Sequence, residues 1–111
     1  MTGEAAGVLV VTADEVLRTE VLRLAAAAGV VPSVRTEAGV APRDWQDAAL
    51  VLVGADIAEE VARSAPGRRE RVVLVAQGLR EADLRAGLRC GADDVLDLPA
   101  DASRVVGMLL E

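Results

Sequence analysis

Three runs of four residues, Val8-Leu9-Val10-Val11, Leu50-Val51-Leu52-Val53 and Val72-Val73-Leu74-Val75, contain no polar side chain. A strand with one wet face alternates apolar and polar residues, whereas an unbroken apolar run marks a strand covered on both faces, the condition of a parallel sheet between helices. The stretches between the runs carry helical spacing. Within residues 14 to 28, Leu17, Val21, Leu24 and Ala28 recur at three- and four-residue steps, with Arg18, Glu20 and Arg23 on other faces and Gly29 as the stop. Thr12-Ala13-Asp14-Glu15 reads as a capping box, in which the Thr12 hydroxyl takes an early helix amide and Glu15 reaches back.

The same alternation continues along the chain. Val30, Val31 and Val34 predict a second strand up to about Thr36, with Pro32 placing its start at an edge. Pro42 opens a short helix carrying Asp44, Trp45, Ala48 and Ala49. After Leu50–Val53, Asp56 and Glu59 have helix-cap spacing, and a helix bearing Ile57, Val61 and Ala62 runs to about Ala65, stopped by Pro66-Gly67. Residues 81 to 90 form a helix anchored by Leu84 and Leu88 and ended by Gly91; residues 92 to 96 lead into a short fifth strand; Pro99 separates it from a last helix capped near Asp101. Five strand-helix units with right-handed crossovers predict a doubly wound α/β fold, a five-stranded parallel sheet with helices on both faces. The pattern does not fix the strand order.

Composition narrows the function. A chain of 111 residues has room for one domain, read as spanning 1 to 111 with residues 1 to 6 flexible. Eighteen acidic against twelve basic residues give a net charge of -6, which argues against nucleic acid and against an anionic membrane surface as partners. No apolar run reaches the roughly 18 residues a membrane span needs, and no secretory signal opens the chain, so a cytoplasmic location is expected. There is no histidine, and the single Cys90 has no cysteine to pair with. Neither a GxGxxG turn nor a GxxxxGK[ST] loop is present, so no cofactor is expected.

Individual residues admit bland readings beside sharper ones. Asp93-Asp94 is better read as a turn and strand start than as a metal pair, because successive side chains diverge. Asp14 either stabilises the first turn of its helix or keeps a weak cation contact. Cys90 reads as a structural thiol. Trp45 either anchors its helix to the sheet or serves as an interface anchor.

The segment Gly91-Ala92-Asp93-Asp94-Val95-Leu96-Asp97-Leu98-Pro99 resembles the GADDYLxKP stretch of bacterial response-regulator receiver domains. Val8–Asp14 resembles their first strand and acidic pocket, and Leu50–Gly54 the strand that ends in the phosphoacceptor. The resemblance implies a flavodoxin-like, CheY-like fold, and it also implies that the phosphorylation chemistry is gone. Thr12, Ala13 and Asp14 stand where carboxylates hold magnesium, leaving at most one, and one carboxylate makes a poor magnesium site. Gly54 matches the phosphoacceptor aspartate and has no nucleophile. Ala76 matches the hydroxyl residue and Leu98 the lysine that contact the phosphoryl group. The resemblance therefore implies no catalysis, no metal and no cofactor in this domain.

Among degenerate receivers, the chain is similar to the N-terminal domains of CpaE/TadZ and Ssd-like septum-site-determining proteins, in which a MinD-like ATPase domain follows. That resemblance implies a pseudo-receiver acting in pilus assembly or cell division through a protein partner or through self-association, for instance as a homodimer. Receivers use the face of their fourth and fifth units for partner contact, which makes Leu84, Leu88, Val106 and Leu110 the candidate interface here. The alternative is a small-ligand sensor using the altered pocket, where Thr12, Ala13, Gly54 and Ala76 leave mostly small side chains.

Overall fold

The computed structural model describes residues 7–111; the expectation for residues 1–6 lies outside them. The elements alternate throughout: β1 (Val8–Val11), α1 (Glu15–Ala27), β2 (Ser33–Arg35), α2 (Pro42–Asp47), β3 (Leu50–Gly54), α3 (Ala58–Ser64), β4 (Val72–Gln77), α4 (Glu81–Cys90), β5 (Asp94–Leu98) and α5 (Ala102–Leu110). All strand pairs are parallel, in the order β2-β1-β3-β4-β5. The doubly wound five-stranded sheet expected from the apolar runs is the fold observed.

The runs are apolar at every position because the two faces of each strand serve two different cores. Val10, Leu50, Leu52, Val73, Val75 and Leu96 face the side covered by α1 and α5, where Leu17, Val21, Leu24, Val105 and Leu109 meet them. Leu9, Val11, Val51, Val53, Val72 and Leu74 face the other side, where they pack with Trp45, Ile57, Val61 and Ala86. Each such side chain, fully buried, contributes about 1.5–3 kcal/mol. Trp45 is 1% exposed and its indole Nε1 donates to the Gly67 carbonyl at 2.9 Å, so of its two readings the core anchor is the one realised.

Several boundaries differ from the sequence expectation. The second strand begins at Ser33, because Val30 closes the end of α1 through its amide to the Ala25 carbonyl and Val31 stands 95% exposed. The fifth strand, expected to be led into by residues 92 to 96 and to end before Pro99, runs from Asp94 to Leu98. Asp93 serves the turn instead, accepting the Arg71 amide at 2.6 Å, while Asp94 pairs with Arg104 at 2.7 Å. The two carboxylates diverge, as the turn reading requires. The α1 cap is Asp14, whose Oδ1 accepts the amides of Val16 and Leu17, and not Thr12. The α3 helix has no side-chain cap, so Asp56 does not play that part either.

The largest difference is in α4. Leu84 and Leu88 do not anchor it: they are 44% and 78% exposed, and Ala86 and Gly87 face the sheet. A methyl group at Gly87 would meet Val95 Cγ2 at 3.4 Å and Leu74 at 3.7 Å, so the helix lies close over the sheet on its smallest residues. The leucines are left outside. Helical spacing identifies a stripe, but close backbone approach can select the small-residue stripe for burial over the large one.

Candidate functional site: a pocket closed by its own loop

The carboxyl ends of the strands converge where a doubly wound sheet ordinarily binds its ligand. Thr12 directly follows β1 and is 1% exposed, and Gly54 ends β3 next to it. A hydroxyl at the end of an otherwise apolar strand needs partners, and Thr12 has two. Its Oγ1 accepts the Asp14 amide at 3.1 Å and donates to Asp56 Oδ1 at 2.7 Å. The other Asp56 oxygen accepts the Ala13 amide at 2.9 Å. One carboxylate thus clips the loop after β3 to the loop after β1.

Gly54 makes the clip sterically feasible. A Cβ at this position would stand 2.3 Å from Asp56 Oδ1, 2.6 Å from Thr12 Oγ1 and 2.8 Å from Thr12 Cβ. Its backbone needs no special conformation, so the requirement here is space alone. Asp56 therefore folds back over Gly54 and into the pocket, against the expectation that a turn or cap would point it elsewhere.

The remaining expected pocket residues are dispersed. Asp14 turns to the α1 amides. Ala76 is buried near the end of β4. Leu98 lies in the core beneath α1 and α5. Asp97, one residue earlier, faces the β4-α4 loop and accepts the amides of Gly78 at 2.8 Å and Leu79 at 3.2 Å. The chain's twelve basic residues are all arginines, so no lysine could substitute from elsewhere. The pocket does not fit a magnesium ion: both Asp56 oxygens hold protein donors, Asp14 caps a helix, and Thr12 and Ala13 supply no carboxylate. Among the described residues, no three acidic, histidine or cysteine side chains come together as a ligand set.

The sequence matches the family model of the Rv3660c-like, CheY-like N-terminal domain over residues 11–111. The chain belongs to that family. No curated protein matches it. Among solved structures, this CheY-like domain is similar to a response-regulator receiver domain from Bermanella marisrubri, at 21% identity and a TM-score of 0.66, with 92% of each chain covered. It is also similar to a protein from Burkholderia pseudomallei described as pilus assembly-related, at 18% identity and a TM-score of 0.59 over 96% of this chain and 94% of that one. A third similar structure, from Burkholderia thailandensis and described as a pilus assembly protein, gives 17% identity and a TM-score of 0.59 over 94% of each chain. At these identities the likeness establishes the receiver fold.

The residues expected to form a partner face divide into two groups. Leu84 and Leu88 on α4 and Leu110 on α5, itself 66% exposed, are open to solvent. Val106 is half-buried and packs against the α1–α5 core. No helix among the described residues is long and apolar enough to cross a membrane. Cys90 is half-buried, with its thiol directed to the Gly87 carbonyl at 3.4 Å and its pKa pushed up by burial, the opposite of an activated nucleophile.

Proposed function

We propose that this CheY-like domain is a phosphorylation-independent module for protein interaction and self-association, with no catalytic role of its own. The observation that carries the reading is the clip. A receiver signals by placing a phosphoryl group on an aspartate beside a metal, and here that volume holds the Asp56 carboxylate, over a glycine with no nucleophile. The same clip weighs against a small ligand in the former pocket, since binding would first have to break two hydrogen bonds. What remains for recognition is the outer surface. Exposed Leu84 and Leu88 on α4 and Leu110 on α5 support a partner face on the fourth and fifth units, to which half-buried Val106 contributes less.

The likeness to the two Burkholderia proteins, described as pilus assembly proteins, supports a parent protein that acts in pilus assembly; septum siting, a cytoplasmic location and a MinD-like ATPase domain after this one rest on the sequence resemblance to CpaE/TadZ and Ssd-like proteins. A GKGGxGK-like loop in the reading frame beyond Glu111 is the expected finding. The chemical half of the proposal is tested by incubating the domain with acetyl phosphate and magnesium and measuring its intact mass. The mass is expected not to change. A magnesium-dependent gain of one phosphoryl group, mapped to Asp14 or Asp56, overturns the reading.

A further inference from the structure

With its leucines exposed, α4 needs something other than large side chains to seat it on the sheet. The other helices are seated by such side chains: α1 buries Leu17, Val21 and Leu24, α2 buries Trp45, α3 buries Val61, and α5 buries Val105 and Leu109. Among the described residues, α4 is the one helix that fully buries no apolar side chain larger than that of alanine; its buried positions are Asp83, Ala86 and Gly87. Apolar stabilisation scales with the area removed from water, so Ala86 and Gly87 hold α4 far less firmly than leucines and valines hold its neighbours. Half-buried Cys90 adds a contact only at the last residue. The pair of Arg89 with Glu59 on α3, 2.9 Å apart, joins two exposed side chains and adds little.

What α4 has instead is hydrogen bonds at its two ends. Its C-terminal end runs directly into β5: the Ala92 amide donates to the Gly87 carbonyl at 2.9 Å and the Asp93 amide to the Val72 carbonyl at 2.7 Å. Its N-terminal end is reached through Gly78 and Leu79, whose two successive amides converge on one oxygen, Asp97 Oδ1, at 2.8 and 3.2 Å. Asp83 also accepts an amide there, but from Arg80 three residues earlier, which closes the helix on itself and ties it to nothing else. Asp97 is itself held from the other side. Its amide donates to Asp101 Oδ2 at 2.8 Å and its carbonyl accepts the Asp101 amide at 2.7 Å, and Asp101 immediately precedes α5. One residue thus connects the start of α4, which carries Leu84 and Leu88, to the start of α5, which carries Leu110.

We propose that the Asp97 carboxylate is the tether that sets α4 on the sheet, and thereby the positioning residue of the partner face on α4 and α5. Its effect on association rests on the partner-face reading above; the tether itself does not depend on that reading. A helix seated by small side chains and hydrogen-bonded at its ends loosens when one end is released, and Leu84 and Leu88 move with it. The other carboxylate clip has no such reach, because Asp56 joins the loops that lead to α1 and α3.

The test is amide hydrogen exchange, residue by residue, on the wild-type chain, Asp97→Ala, Asp97→Asn and Asp56→Ala, with light scattering across a concentration series on the same samples. Asp97→Ala is expected to speed exchange at Gly78, Leu79 and the first turn of α4 by about tenfold or more, from the loss of hydrogen bonds to a charged group, and to leave the amides of β1 and β3 unchanged. Its self-association is expected to weaken several-fold. Asp97→Asn keeps an acceptor oxygen without the charge, so it is expected to fall between the wild type and Asp97→Ala on both readouts, and it supplies the test if Asp97→Ala does not fold. Asp56→Ala is expected to speed exchange at Ala13 and not at Gly78, Leu79 or α4. Exchange at Gly78, Leu79 and α4 that equals wild type in Asp97→Ala, or that rises equally throughout the sheet, overturns the tether. If the wild type associates and Asp97→Ala loosens α4 without weakening association, the positioning role is overturned. A wild-type chain that stays monomeric at every concentration overturns the self-association reading instead, and exchange still decides the tether, since it needs no partner.

Discussion

Replacing Gly54 with alanine puts one methyl group where three atoms already stand, at 2.3, 2.6 and 2.8 Å from the new carbon. Two of the three are side-chain oxygens. Asp56 can swing outward, at the loss of its bonds from Thr12 and from the Ala13 amide. A hydrogen bond to a charged group is worth about 1.5–3 kcal/mol, and less for a carboxylate as exposed as this one, so that movement costs about 2 kcal/mol in all. The third atom, Thr12 Cβ, is fixed to the β1 backbone, and relieving it shifts a central strand at an overpacking cost of about 1–3 kcal/mol. The total is about 3–5 kcal/mol, a large share of the about 5–15 kcal/mol that holds a domain together. The assay is urea unfolding of Gly54→Ala beside Gly87→Ala, whose new methyl would meet nothing closer than 3.4 Å and would gain helix propensity of up to about 1 kcal/mol. Gly54→Ala is expected to unfold at much lower urea, and Gly87→Ala at the wild-type concentration or above it. In an Asp56→Ala background, where the nearest contact is already removed, Gly54→Ala is expected to cost less. A Gly54→Ala midpoint equal to wild type would refute the clip as the reason for glycine at this position.

Leu52 and Leu74 are both 0% exposed and sit on opposite faces of the sheet, so aspartate at either should unfold the domain or lower its thermal midpoint by well over 10 °C, at about 4–8 °C per kcal/mol. Near-wild-type melting of both would be incompatible with a sheet covered on two sides. Burial raises the Cys90 pKa, so its thiol stays protonated to higher pH than in the unfolded chain. Iodoacetamide at pH 8 is accordingly expected to modify it several-fold more slowly in native protein than in urea. The sign of the stability effect follows: with the folded pKa raised, the contribution is fully present below the ordinary thiol pKa and is lost as pH rises above it. Equal alkylation rates in both states would remove the basis for both statements.

What the sequence made legible was set by how locally each feature is determined. The three apolar runs could only be strands covered on both faces, and that property alone led to a parallel sheet with helices on each side. The order β2-β1-β3-β4-β5 could not be read, because each run suits several neighbours equally well. The proposed loss of receiver chemistry is argued from Thr12, Ala13, Gly54, Ala76 and Leu98, since absence of a functional group is a property of one residue at a time. The destination of Asp56 was not visible. Its spacing to Glu59 fits a helix cap, and what overrides that preference is a hydroxyl and an amide 44 and 43 residues away. Two signals could have pointed to it: a polar Thr12 at the end of a buried strand needs a partner, and Gly54 opposite leaves room for one. Leu84 and Leu88 failed for a related reason. Their spacing is helical, yet the tight fit of Gly87 over Leu74 and Val95 decides which stripe is buried, and that fit is a tertiary fact.

The clip also changes how the lost chemistry should be understood. If Gly54 were merely an aspartate that had been deleted, returning the carboxylate would restore a nucleophile to an otherwise open pocket. The geometry excludes this, because the first atom of any side chain at position 54 collides with Thr12 and Asp56 as they stand. A carboxylate at 54 and the Thr12–Asp56 bond are alternatives competing for one volume. The clip joins the loops after β1 and β3, and Asp97 holds the loop after β4 by a second carboxylate contact. These are the connections at the carboxyl edge through which a phosphorylated receiver would change shape. With Asp56 and Asp97 already accepting the amides of Ala13, Gly78 and Leu79, those donors are not free for a phosphoryl group. Loops cross-linked in this way fit the proposed function, a surface recognised continuously, better than one that must be switched on.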